Sequence, residues 1–119
     1  MAGKRILVVD DDPDLRELLF TALADEGFEV VPAANGREAL VVLRTFRPDV
    51  IILDLMMPVM DGWQFASALK ELDEDIPIVL LSAARDLKEH AATLNAADII
   101  EKPFELSELI PKIERIAAA

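Results

Sequence analysis

The chain has 119 residues, 53% of them hydrophobic, with 12 Lys and Arg against 23 Asp and Glu, a formal net charge of −11 at pH 7 and no cysteine. That length and apolar content suit one domain over residues 1–119, burying about two-thirds of the surface its unfolded chain exposes without a disulfide or structural-metal staple. The charge offers no basic face to displace counterions from phosphates, the missing cysteines remove thiol catalysis and Cys-based zinc sites, and no apolar run reaches the length of a signal peptide or membrane span. Nucleic acid and membrane are therefore not expected as partners, and a reducing, cytoplasmic setting is.

The first apolar run, Arg5–Val9, predicts a strand. Asp12 then Pro13 reads as the N-cap and first residue of a helix with the stripe Leu15, Leu18, Leu19 and Ala22, closed by Gly27. Phe28–Pro32 predicts the second strand, and Asn35 caps a second helix whose apolar positions are Ala39, Leu43 and Phe46. After the third strand, Val50–Leu53, Asp61 caps a helix carrying Phe65, Leu69 and Leu72, and Glu71–Asp75 reads as a solvated turn. Ile76–Leu81 is the fourth strand, Leu87, Ala91 and Leu94 mark a fourth helix, and Ala97–Ile100 is the fifth strand. The last helix carries Leu106, Leu109, Ile110 and Ile113; Ser107 is taken as its cap, which puts Pro111 just past the first turn, because an interior proline costs about 3 kcal/mol.

The strand runs are apolar at successive positions, which indicates burial on both faces, as in a parallel sheet sandwiched by helices. Five right-handed βα units joined by short loops make one doubly wound α/β domain. In such a sheet function gathers outside the carboxyl ends of the strands, where the strand order reverses. Asp10, Asp11 and Asp12 follow the first strand, Asp54 the third, Ser82 the fourth, and Glu101, Lys102 and Pro103 the fifth. With the flavodoxin-like order 2-1-3-4-5, Asp10, Asp11 and Asp54 share one pocket. Each pair of like charges near 4 Å repels by about 4 kcal/mol at an effective dielectric of 20, so the cluster calls for a cation, and oxygen-only ligands select Mg²⁺ or Mn²⁺. A carboxylate beside such an ion can accept a phosphoryl group, with Lys102 neutralising that group and the Ser82 hydroxyl bonding one of its oxygens. Taken singly, Asp12 is a helix cap, Asp10 and Asp11 are loop charges, and Ser82 and Lys102 are an ordinary hydroxyl and a surface lysine; their conjunction at separate strand ends carries the reading. Neither G-x-x-x-x-G-K-[ST] nor G-x-G-x-x-G occurs, so ATP is not the expected donor.

The segments ILVVDDDPD, IILDLMMPVMDG, VLLSA and DIIEKPF resemble, in order and over essentially the whole chain, the receiver domain of two-component response regulators. The resemblance implies a (βα)5 sandwich in which Asp54 is phosphorylated by a sensor histidine kinase or a histidine phosphotransfer protein. It implies that Asp11 ligates Mg²⁺ directly, Asp10 mostly through water, and the Met56 backbone carbonyl completes the protein ligands. It further implies that Lys102 pairs with the phosphoryl group, that Lys102–Pro103 is a cis peptide, and that Met57, Pro58 and Gly62 shape the loop beneath the site. Such a domain catalyses its own phosphorylation and dephosphorylation, turns over no metabolite, and signals to a downstream protein; a monomer is expected, either a stand-alone receiver or one cut from a longer chain. An aspartyl phosphohydrolase is disfavoured, because Met56 stands where such enzymes carry a second acid and there is no cap domain. A degenerate receiver acting as a constitutive binding module would lack an acid or the lysine, and neither is missing.

This sequence departs from the family pattern in places. Ser82 replaces the usual Thr, Ile99 stands where an aromatic is usual, the Ser82–Lys102 stretch is short, and Asn95 replaces Gly. A short or displaced fourth helix is therefore expected, with weak switching through the fourth helix and fifth strand. His90, the one histidine, is read as a solvated side chain, and Trp63 as a packing residue of the third helix.

Overall fold

Five strands alternate with five helices along the chain. They are β1 (Arg5–Val9), α1 (Pro13–Asp25), β2 (Glu29–Ala33), α2 (Gly36–Val42), β3 (Val50–Leu53), α3 (Gly62–Glu71), β4 (Ile78–Ser82), α4 (Leu87–Leu94), β5 (Asp98–Glu101) and α5 (Leu106–Ala118). The computed structural model describes residues 3–57, 59–72 and 75–118. Pro58, and Asp73 and Glu74 within the expected Glu71–Asp75 turn, lie outside the described residues. The strands form one parallel sheet of order β2-β1-β3-β4-β5, the flavodoxin-like order. Three expected strands begin later than their apolar runs: β4 starts after Pro77, which has no N–H to give the ladder, β2 after Phe28, and β5 after Ala97.

The unbroken apolar runs follow from burial on both faces. In β1, Leu7 and Val9 pack toward the α2, α3 and α4 layer while Ile6 and Val8 pack toward α1 and α5. In β3 and β4, Ile51, Leu53, Ile78 and Leu80 face the first layer and Val50, Ile52, Val79 and Leu81 the second.

The helix starts follow the caps. Asp12 accepts from the backbone of Asp14 and Leu15, Asn35 accepts from Glu38, and Asp61 forms a reciprocal capping box with Gln64. Gly27, at φ +94°, supplies the left-handed turn that ends α1.

Four expectations about the helices need correction. Leu18 is exposed, because the buried stripe of α1 runs through Leu19 and Leu23 and leaves Leu18 at its margin. Leu72 is also exposed, as the cap residue beyond the end of α3. Helix α2 stops at Val42, so Phe46 reaches the core from the loop that follows. Ser107 is not the cap of α5: the Glu105 carbonyl accepts from Glu108 and Leu109, so the helix begins at Leu106 and Pro111 lies inside it. The proline removes the bond to the Ser107 carbonyl, but both residues are exposed and water can take that carbonyl, while Leu109, Ile113 and Ala117 hold the helix on the sheet. No helix among the described residues is long and apolar enough to cross a membrane.

Candidate functional site

Strand register builds the site. Val9 pairs with Leu53, so the residues that follow, Asp10 and Asp54, leave neighbouring strands side by side. Asp10 N–H donates to the Ala33 carbonyl at 3.1 Å and Asp54 N–H to the Val9 carbonyl at 2.9 Å, which fixes both backbones one step beyond the ladder. Ser82 pairs with Glu101, and Lys102 N–H donates to the Ser82 carbonyl at 3.1 Å, so the lysine departs next to the buried hydroxyl.

Asp10, Asp11 and Asp54 each offer a carboxylate oxygen, and these oxygens lie within 4.8 Å of one another. Asp10 and Asp54 are buried at 2% and 3% exposure, whereas Asp11 is exposed at the rim. Lys102 Nζ donates to Asp10 Oδ2 at 2.7 Å and to Asp54 Oδ2 at 3.3 Å, so one ammonium bridges carboxylates from two strands. The remaining oxygens are also held: Asp10 Oδ1 accepts from Asp12 N–H at 2.9 Å and Asp54 Oδ1 from Met56 N–H at 3.1 Å. Burial pushes the Asp10 carboxyl above its ordinary range, and the bonds from Lys102 and Asp12 only partly oppose that. For Lys102 burial alone would lower the ammonium pKa, but the hydrogen bond and charge of Asp10, with the charge of Asp54, outweigh it and raise the value.

One ammonium against three carboxylates leaves negative charge in excess, and an all-oxygen set with one open, exposed member fits a hard divalent cation. Among the described residues no backbone N–H takes the Met56 carbonyl. Ser82 Oγ accepts from Ala84 N–H at 3.2 Å and keeps a proton to donate. The Lys102–Pro103 peptide is cis, as expected. The Asp12 side chain is spent on the α1 cap, and only its backbone N–H reaches the cluster, at Asp10 Oδ1.

Glycines frame the loop beneath the site. A Cβ on Gly62 would lie 2.6 Å from the Asp54 carbonyl oxygen and 2.7 Å from Leu55 Cα, so only glycine lets α3 start against the Asp54–Leu55 backbone. Gly36 N–H donates to the Met60 carbonyl at 3.0 Å and ties the start of α2 to the same loop. Met57 is buried below it.

Two features escaped the sequence reading. Arg16, on α1, donates from Nη1 to the Asp10 carbonyl oxygen at 2.8 Å, fixing the peptide from which Asp11 departs and placing a positive charge beside the acidic cluster. Its position one turn after the Asp12 cap was the available signal. His90 is not simply solvated: it is half-buried and accepts a hydrogen bond from the Trp63 indole, across 27 residues of sequence.

Comparison with known proteins supplies the family. The model of the response regulator receiver domain matches residues 6–114. The transcriptional regulatory protein PrrA of Mycobacterium bovis is 42% identical over 118 residues, covering 98% of this chain and 51% of that protein. The chain thus spans about half the length of the curated relatives it matches. Among solved structures, a receiver domain from Francisella response regulator 1452 superposes with a TM-score of 0.89 at 30% identity, covering 98% of each chain. TrrA from Thermotoga maritima, solved in complex with Mg²⁺-BeF, superposes with a TM-score of 0.84 at 37% identity, covering 95% of this chain and 98% of that one. The exclusion of nucleic acid drawn from net charge concerns these 119 residues and does not carry over to longer proteins such as PrrA. Acids and a lysine from three strand ends, an aligned fold and a family match over nearly the full length converge: the chain belongs to the receiver domains of two-component response regulators.

Proposed function

We propose that Asp54 is the phosphoacceptor, taking its phosphoryl group from a histidine of a sensor kinase or phosphotransfer protein. The observation that carries this reading is the Lys102 ammonium shared between Asp10 and Asp54, a cation held by the two buried acids and able to follow charge onto a group added to one of them. In the transfer an Asp54 carboxylate oxygen attacks phosphorus in line, a P–O bond forms, and the P–N bond breaks with its electron pair left on the imidazole. Lys102 then pairs with a phosphoryl oxygen, and the Ser82 hydroxyl donates to another. Met56 N–H holds Asp54 Oδ1, which orients the carboxylate before transfer.

Asp10, Asp11, Asp54 and the Met56 carbonyl would hold Mg²⁺, or Mn²⁺ in its place. When bound, the ion neutralises the carboxylates and the phosphoryl oxygens. Attack of water on the acyl phosphate returns the domain to its starting state, so the chemistry is self-catalysed and no metabolite is turned over. We assign the domain to the cytoplasm as a monomer that changes its affinity for a downstream protein. Incubation with acetyl phosphate and Mg²⁺ tests the assignment by intact mass. Wild type should gain one phosphoryl group and Asp54→Asn none; an Asp54→Asn protein that still gains one moves the acceptor elsewhere.

A further inference from the structure

Helices α3 and α4 are joined at one polar point. Trp63 Nε1–H donates to His90 Nδ1 at 3.3 Å, and the two rings meet edge to face, centroids 5.0 Å apart at an interplanar angle of 78°. As acceptor, Nδ1 carries no proton, so the bond has one polarity and depends on both rings keeping their places.

The two ends of this contact are anchored very differently. Trp63 follows Gly62, whose N–H donates to the Leu55 carbonyl at 3.1 Å and whose Cα is packed against the Asp54–Leu55 backbone with no room for a side chain. The first turn of α3 therefore cannot shift independently of the peptide that carries Asp54. His90, by contrast, sits on a helix that fully buries only Leu87, starts at Asp86 without a side-chain cap bond, and ends at Asn95. Among the described residues, the Trp63 bond is the one side-chain hydrogen bond that ties α4 to another element.

We propose that the Trp63–His90 contact carries the state of the Asp54 loop to α4, with both residues acting as positioning residues that touch no reacting atom. A group attached at Asp54 competes for Lys102 and crowds the loop held by Met56 N–H. Displacement of that loop reaches Gly62, turns the Trp63 indole, and moves His90 with α4. The route does not pass through residue 99 on β5, and it departs from the weak switching through the fourth helix expected from Ile99 and the short Ser82–Lys102 stretch. It rests on the reading of Asp54 as acceptor.

The test uses amide and indole NMR spectra of the whole chain with and without Mg²⁺ and beryllofluoride, in wild type, Trp63→Phe and His90→Phe. The phenylalanines keep an aromatic ring at each position and remove the donor or the acceptor. In wild type, site amides at Asp10, Asp11, Asp54 and Lys102 should shift, together with the one indole N–H resonance of this single-tryptophan chain and the amides of Leu87–Leu94. In both variants the site shifts should persist while the α4 shifts fall at least threefold. The inference is overturned by α4 shifts of full size in the variants, or by an indole resonance that stays still in wild type while the site amides move. Site amides that do not respond in wild type would instead overturn the acceptor reading, and this inference with it.

Discussion

The two helices on either side of the Trp63–His90 contact pack on the same face of the sheet, and they are held by different means. Helix α3 opens with a reciprocal capping box, buries Gly62, Phe65, Ala66 and Leu69, and starts in backbone contact with Asp54 and Leu55. Helix α4 is flanked by two left-handed residues, Asp86 at φ 55° and Asn95 at φ 56°, and fully buries one side chain. The capped, crowded helix is pinned to the backbone that carries Asp54, whose place beside Asp10 and Lys102 is set by strand register. The lightly held one has the freedom a responding element needs, since segments with few buried contacts open at low free energy. A rigid helix beside Asp54 and a lightly held one thus lie next to each other in one layer.

Substitutions at the glycines probe the rigid side hardest. Gly62→Ala forces a Cβ into backbone atoms of Asp54 and Leu55 and should cost about 3 kcal/mol or prevent folding. Gly36→Ala meets mainly the flexible Met60 side chain and should cost clearly less. Denaturant unfolding of the two variants checks the order, and equal losses would mean that α3 is not clamped to the Asp54 backbone.

The metal should act on the same rigid side. Mg²⁺ at a hundred times its dissociation constant should stabilise the wild type by about 2.7 kcal/mol. Asp11→Ala should lose most of that gain while its metal-free form stays as stable as wild type, because Asp11 is exposed and its charge repels the other two acids. Melting temperatures that rise equally with Mg²⁺ in both proteins would remove Asp11 from the ligand set.

In the metal-free protein the raised pKa of Asp10 makes its ionised form a cost to folding. That cost is fully present above the folded-state pKa and disappears as pH falls below the ordinary carboxylate value. Asp10→Asn should therefore gain stability relative to wild type near neutral pH, and the gain should shrink on acidification. A gap that widens toward acid would show that the Lys102 pair outweighs burial.

The end of each helix offers a smaller contrast. Asp12→Ala removes a cap that accepts from two backbone donors and should cost about 1 kcal/mol. Asp86→Ala removes no cap bond and should cost less. Unfolding free energies of equal size would contradict the difference in how α1 and α4 begin.

Much of the fold and the acidic cluster was legible because their causes are local. Asp12, Asn35 and Asp61 announce helix starts through their own side-chain oxygens, and runs such as Ile6–Val9 announce burial on both faces. Once the strand order is given, register alone brings Asp10 beside Asp54. The misses depend on packing between distant segments. Pro111 is tolerated inside α5 because Leu109, Ile113 and Ala117 dock on the sheet, which overrides the local penalty. Likewise Leu18 has the right spacing, but the contacting arc of α1 passes through Leu19 and Leu23. No spacing rule pairs Trp63 with His90, because two separate helices bring them together. Val59, at φ 68°, is a β-branched residue in a left-handed conformation that sequence alone would assign to glycine or asparagine.

Native-state hydrogen exchange tests the division between a fixed Asp54 backbone and a yielding α4 most directly. Amides of Leu7–Val9 and Ile51–Leu53, buried in β1 and β3, should exchange only with global unfolding. Amides of α4 from His90 to Leu94 should exchange by local opening, at least about tenfold faster. Protection in α4 equal to that in β1 and β3, with the same dependence on denaturant, would contradict the account.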